Sequence, residues 1–370
     1  MANQSKHDLR TQVGQLLIMG FDGTEMSPKL RTMIATLQPG GLILFRRNIE
    51  APQQTYDLVQ ECRRSIQVPV FTCVDMEGGT VDRLRDVVAP APSVAEVVAT
   101  KSKKLFRKHG RILGEESRAF GFNTDFAPVL DLRFEPSLKV LTSRTVSADP
   151  KQTVKYGREV LRGLKDAGVL GCGKHFPGLG EANLDTHHEL PSIKKPWKKL
   201  WKEDLAPYRE LRKEMAFVMV AHAAYTAVTK NGTPASISKK WVDGILRREI
   251  GYRGLVICDD LEMGGVLKAA SVEDAALGTL EAGADIFLVC HNEEFVWRSY
   301  EKVLTTAESD KKFAARVSEA ARRVLAFKRK AKELRWKPKP PSQKVVDKLR
   351  RTMWEFSEEI RLDADAMRKG

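Results

Sequence analysis

Apolar residues in this chain come in short continuous runs rather than in alternation with polar ones. The runs fall at residues 15–21, 41–45, 70–74, 126–132, 169–172, 217–221, 254–258 and 286–290. Unbroken apolarity over so short a length marks strands covered on both faces, as in parallel sheets. Between most of the runs lie longer segments with helical periodicity and a charged face, among them 53–65, 154–167, 200–213 and 238–250. Strands separated by helix-sized intervals predict βαβ units. Eight such units close into a (β/α)8 TIM-type barrel whose interior is filled by side chains. An open doubly wound sheet is the competing α/β architecture. No Gly-x-Gly-x-x-Gly stands at an early strand–helix turn, so dinucleotide binding is not expected. Ser5 with Asp8 predicts the cap of a first helix. After the last strand the pattern predicts helices over 293–307 and 311–334, a stiff break at Trp336-Lys337-Pro338-Lys339-Pro340-Pro341, and an amphipathic helix over 345–367. The expected division is a barrel over 1–335 and a basic helical extension over 336–370. The extension is too short for a second domain, and is expected to lie on the barrel or to mediate self-association.

Composition narrows the class. Of 370 residues, 42% are hydrophobic, enough for a sizeable core. No uninterrupted apolar stretch is long enough to span a bilayer, and the polar residues 1–8 contain no apolar core of a secretory leader. The five cysteines, Cys62, Cys73, Cys172, Cys258 and Cys290, are odd in number, and four sit inside apolar runs. They read as reduced core thiols of a cytoplasmic protein. The net charge of +14 is uneven, with +10 of it falling in residues 310–370. Such a tail can attract nucleic acid or an anionic surface. Without a zinc-finger or RNA-recognition signature it reads as a solvated helix face, and no nucleic-acid partner is expected.

The chemistry gathers where strands end. The fifth run leads into Lys174-His175-Phe176-Pro177-Gly178 and then, through a polar loop, into Asp185-Thr186-His187-His188. In extended chain, side chains at i and i+2 point the same way, so Asp185 can reach the ring of His187. A carboxylate on one imidazole nitrogen sets the tautomer and leaves the other nitrogen for proton transfer. The pair His187-His188 lacks the i, i+4 spacing of a helical zinc site and has no cysteine pair nearby, so neither a metal nor another cofactor is expected. The other strands lead to Arg46-Arg47-Asn48, to Asp75 and Glu77 with Arg83 beyond, to Asp131 with Ser143-Arg144 in the following loop, to His222, and to Asp259-Asp260. A ring of hydrogen-bonding groups of both signs suits a polyhydroxylated ligand. At Asp259-Asp260, alternation turns one carboxylate inward, where it can serve as a nucleophile, and the other outward, where it can cap the next helix.

Taken together these residues resemble the glycoside hydrolase family 3 β-N-acetylglucosaminidases, the NagZ type of bacterial cell-wall recycling. The resemblance runs from about residue 10 to about residue 330. It is carried by Gly40-Gly41-Leu42-Ile43-Leu44-Phe45, Asp75-Met76-Glu77-Gly78-Gly79, residues 123–132, Ser143-Arg144, Lys174-His175-Phe176-Pro177-Gly178, Asp185-Thr186-His187 and residues 255–263. It implies Asp259 as catalytic nucleophile, His187 as general acid/base and Asp185 as its orienting partner. Asp75, Arg83, Arg144, Lys174 and His175 would hold the N-acetylglucosamine ring. The chain departs from the family pattern at Thr80, Val146, Leu179 and Cys258. None of these removes a reacting group, and the first three bear on leaving-group preference.

The implied reaction is a two-step displacement with retention on a small amino-sugar glycoside, and the resemblance implies muropeptide fragments carrying 1,6-anhydro-N-acetylmuramic acid as substrates. A phosphorylase is the alternative within the family, because a neutral histidine base does not repel phosphate. A noncatalytic sugar- or nucleic-acid-binding barrel is the alternative from another class.

Overall fold

A computed structural model describes residues 8–186 and 188–369, with the backbone alone over 365–369. Eight parallel strands form the centre: β1 (Leu17–Met19), β2 (Gly41–Ile43), β3 (Phe71–Val74), β4 (Thr124–Asp125), β5 (Leu170–Phe176), β6 (Phe217–Val220), β7 (Leu255–Asp260) and β8 (Ile286–Val289). Each pairs with its sequence neighbours, and β8 pairs back onto β1 with Leu17 opposite Phe287, closing the barrel. The TIM-type barrel expected from the sequence is the fold. Because helices cover the outside and side chains fill the inside, the strands are buried almost throughout, and this selects continuous apolar runs.

The amino-terminal end of the barrel is plugged by aromatics. Phe71 and Phe217 meet edge to face at 5.0 Å, and Phe327 from the helix Lys311–Lys330 lies within 6.1 Å of both. Next to it Lys328 is buried, its Nζ donating to Gln15 Oε1 and Gly40 O at 2.7 Å. Among the described residues no carboxylate pairs with it, and burial pushes its ammonium down to about 7. Its folded pKa lies below its unfolded one, so the contribution to stability is present above the ordinary lysine pKa of 10.5 and is lost as pH falls toward 7. Lys328→Met is therefore expected to flatten the rise in stability between pH 7 and 10, measured as urea midpoints across that range.

Three local expectations are corrected. The fourth apolar run, 126–132, contains no regular strand, which is confined to Thr124–Asp125 just before it. Pro128 has no amide proton for the ladder, and pairing resumes irregularly, with Val129 bridging Lys174 and Leu130 N donating to Lys174 O. The helix expected over 200–213 is two short helices, Trp197–Lys202 and Ala206–Leu211. Pro207 opens the second, where a missing N–H is harmless, and Asp204 between them turns inward to Lys195 at 2.6 Å. In the first helix, Leu9–Gly14, Asp8 is itself the cap, accepting from Thr11 N at 2.8 Å, and Ser5 lies outside the described residues.

The extension lies along the barrel. Met353, Phe356 and Ile360 of the helix Gln343–Lys369 are buried. Phe356 stacks on His109 at 5.9 Å, Lys108 pairs with Glu359 at 2.5 Å, and Arg350 donates to Val87 O and Val88 O. The connecting segment is held by the Arg118 guanidinium, 3.8 Å over the Trp336 ring. Among the described residues no helix is long and apolar enough to cross a membrane.

Candidate active site

The carboxyl ends of the strands surround a cavity of about 300 Å³, at the lower end of the range for small-molecule sites. Asp75, Arg83, Arg144, Lys174, His175, Asp185 and Asp259 all line it. His187, the expected acid/base, lies outside the described residues.

One wall is a chain of charges alternating in sign. Arg83 pairs with Asp75 at 3.1 Å, Asp75 with Lys174 at 2.9 Å, Lys174 with Glu77 at 2.6 Å, and Glu77 with Arg144 through two bonds of 2.7 and 2.9 Å. Burial would raise the two carboxyls, but the cations outweigh it. Lys174 and Arg83 hold Asp75 well below the carboxylate range, and Arg144 and Lys174 bring Glu77 down to about 2. Burial likewise opposes the charge on Lys174, yet Asp75 and Glu77 hold it above the ordinary lysine value. Every member is therefore charged at neutral pH and fixed by its neighbours, a preorganised frame for hydroxyl and amide groups.

Glu77 and Asp131 complete this frame although neither stands among the expected ligand-binding residues. The signal for Glu77 was its position two residues after Asp75, which puts both on one side of an extended segment. Asp131 accepts from His175 Nδ1 at 2.7 Å and from Leu179 N at 2.7 Å. It thus sets the His175 tautomer and ties the start of the following loop to β4. That loop is anchored further along, where Tyr225 donates to Gly178 O at 2.7 Å and Lys195 pairs with Glu181 at 3.3 Å. Of the departures from the family pattern, only Leu179 lines the cavity. Cys258 serves the ladder, its Sγ accepting from Leu288 N.

Asp259 sits half-buried at the end of β7, Oδ1 accepting from the Asp260 amide at 2.9 Å. The expectation that its neighbour turns outward is corrected. The pairing of β7 with β8 shifts register between Ile257 and Asp260, and such an irregularity can re-aim a side chain. Asp260 lines the cavity too, accepting from Glu262 N and Cys290 N at 3.2 Å. Burial, with Glu262 nearby, pushes its carboxyl up to about 8. This favours the protonated form of Asp260 near neutral pH, with His291 Nε2 standing 3.4 Å from its Oδ2. His222, at the end of β6, lies beneath them. It donates from Nε2 to Asp260 O at 2.9 Å and meets Ser236 Oγ through Nδ1 at 2.7 Å, and burial lowers its pKa. Among the described residues no His, Cys, Asp and Glu are grouped in a metal-binding arrangement.

An amide reproduces the shape of the neutral acid and keeps one acceptor oxygen. Asp260→Asn is expected to hold kcat/KM at pH 6 within about threefold of the unsubstituted protein, or ~0.7 kcal/mol. The folded pKa of Asp260 is raised, so its contribution to stability is complete below about 4 and is lost as pH rises through about 8. Urea midpoints at pH 5 and pH 9 are expected to show the variant gaining on the unsubstituted protein as pH rises.

The sequence model described as the glycosyl hydrolase family 3 N terminal domain matches residues 8–327. The chain belongs to glycosyl hydrolase family 3. It is a glycosidase, and the family match ends before the 336–370 extension. It is 35% identical over 285 residues to a β-hexosaminidase of Thiobacillus denitrificans, covering 75% of this chain and 79% of that one. It is 36% identical over 287 residues to a β-hexosaminidase of Alkalilimnicola ehrlichii, covering 76% and 82%. Among solved structures it superposes on a family 3 β-N-acetylglucosaminidase from Paenibacillus with a TM-score of 0.89 at 34% identity, over 95% of this chain and 68% of that one. It superposes on NagZ of Neisseria gonorrhoeae, in complex with N-trifluoroacetyl-D-glucosamine, with a TM-score of 0.71 at 28% identity, over 84% and 97%.

Proposed function

We propose that this glycosidase releases terminal N-acetyl-β-D-glucosamine from small glycosides with retention of configuration, and that its substrates are cell-wall muropeptide fragments met in the cytoplasm. The observation that carries the reading is the single cavity shared by Asp259, Asp185 and the Asp75–Lys174–Glu77–Arg144 frame. Asp259 attacks the anomeric carbon while His187, protonated and oriented by Asp185, gives its proton to the leaving oxygen. The glycosyl–Asp259 ester is then cleaved by water, and neutral His187 takes the water proton. Arg83, Asp75, Lys174, Arg144 and His175 bind the sugar. The β-hexosaminidase names of the relatives support the acetamido-sugar preference. The five free, buried cysteines agree with a reducing compartment.

The test compares an aryl N-acetyl-β-D-glucosaminide with the corresponding β-glucoside, following the first-formed sugar by NMR. Preferential release of the β-anomer of N-acetylglucosamine supports the reading. Preference for the glucoside, or an initial α-anomer, overturns it. Glycosyl phosphate formed on adding inorganic phosphate would replace the hydrolase with a phosphorylase.

A further inference from the structure

The turn after β7 carries two adjacent glycines, Gly264 and Gly265, opening the short helix Gly264–Leu267. Neither has a positive φ, so neither is required by its backbone conformation, and glycine is a poor helix former. Their surroundings supply the reason. A Cβ on Gly264 would stand 2.5 Å from His188 O and 2.8 Å from His188 Cα. A Cβ on Gly265 would meet His222 O at 2.9 Å and the Thr186 and Glu189 carbonyls at 3.0 Å. All are backbone atoms, which cannot swing aside as a side chain can. The Gly265 amide donates to Thr186 O at 2.9 Å, and Lys268 pairs with Glu189 at 2.8 Å. The docked piece is itself a closed turn, since His188 N and Glu189 N both donate to Asp185 O.

We propose that Gly264 and Gly265 form a docking cradle for the loop that carries Asp185, and that they are positioning residues for the acid/base of the reaction. β7, which carries Asp259, continues directly into the seat of that loop, so one segment holds both Asp259 and the loop that carries Asp185. This rests on the glycosidase reading above. Without the cradle the loop lifts, proton delivery to the leaving oxygen weakens, and Asp259 keeps its place.

The consequence depends on the aglycone. As the glycosidic C–O bond breaks, an alkyl leaving group needs a proton on its oxygen, whereas 2,4-dinitrophenolate departs as a stable anion. In Gly264→Ala, kcat/KM for an alkyl N-acetylglucosaminide is expected to fall about tenfold or more, part of the roughly 10²–10⁴-fold that general acid catalysis contributes. For the dinitrophenyl glycoside it is expected to stay within about threefold, because acid catalysis contributes little there. Lys268→Met, an exposed change that leaves the fold intact, is expected to shift the same ratio in the same direction by a smaller amount. In both variants, exchange of the Gly265 amide proton is expected to speed up. Equal loss on both substrates, or no change in either the ratio or the exchange, overturns the cradle. If the unsubstituted protein cleaves neither substrate, it is the glycosidase reading that fails.

Discussion

Replacing Asp259 by alanine is expected to lower kcat for an aryl N-acetylglucosaminide by about 10⁴ or more, the scale of loss when a covalent nucleophile is deleted. The side chain is half-buried, and among the described residues its Oδ1 accepts from the adjacent Asp260 amide. The melting temperature is expected to move by no more than a few degrees. Azide, a small external nucleophile, fits the space left by the carboxylate and is expected to restore part of the turnover with an α-glycosyl azide as product. Activity retained without azide would remove Asp259 from the chemistry, and with it the mechanism proposed above. The milder outcome expected of Asp260→Asn makes the pair diagnostic, since a large loss confined to Asp259 assigns the attack on carbon to that carboxylate.

Lys174→Met is expected to cost about 3–5 kcal/mol of stability, the usual consequence of stranding a buried partner, together with most of the sugar binding. Lys174 Nζ is the only cation shared by Asp75 and Glu77 among the ion pairs of the described residues. Without it the two carboxylates repel each other in a low-dielectric wall. The pH dependence separates this from simple loss of packing. Glu77 has a folded pKa depressed to about 2, so its contribution is present above the ordinary glutamate value of 4.5 and is lost as pH falls toward 2. The difference in urea midpoint between variant and unsubstituted protein is therefore expected to narrow from pH 6 to pH 3. A constant difference would show that the lysine acts through its methylenes rather than its charge.

Much of the site was legible because a parallel barrel delivers every strand's carboxyl end to one face. Asp75, Lys174, His175 and Asp259 each stand at or just beyond the end of an apolar run, and the structure brings all four into one cavity. Arg83, Arg144 and Asp185 lie in the loops beyond. Their places after strand ends, and for Asp185 the i, i+2 spacing to His187, drew attention to them, and the family resemblance supplied their roles. The sequence did not reveal partners. Arg144 grips Glu77 from 67 positions away, and nothing local to either residue announces the other. Nor did it show that Gly264 and Gly265 matter for closeness, because a glycine pair ahead of a helix reads as an ordinary turn until the backbone beside it is seen.

By itself the sequence determined the number of strands, their parallel arrangement and the face on which the polar residues collect, because burial on both sides of a strand must be written into consecutive residues. Tertiary structure alone decided that Asp260 turns into the cavity and that burial raises its carboxyl pKa, where Pro128 breaks a ladder, and how Asp204 and Pro207 divide a helical pattern. Those outcomes depend on charges and backbone atoms that share a small, poorly solvated volume while standing far apart in the chain. Hydrophobic period records whether a residue is covered, and says nothing of what covers it.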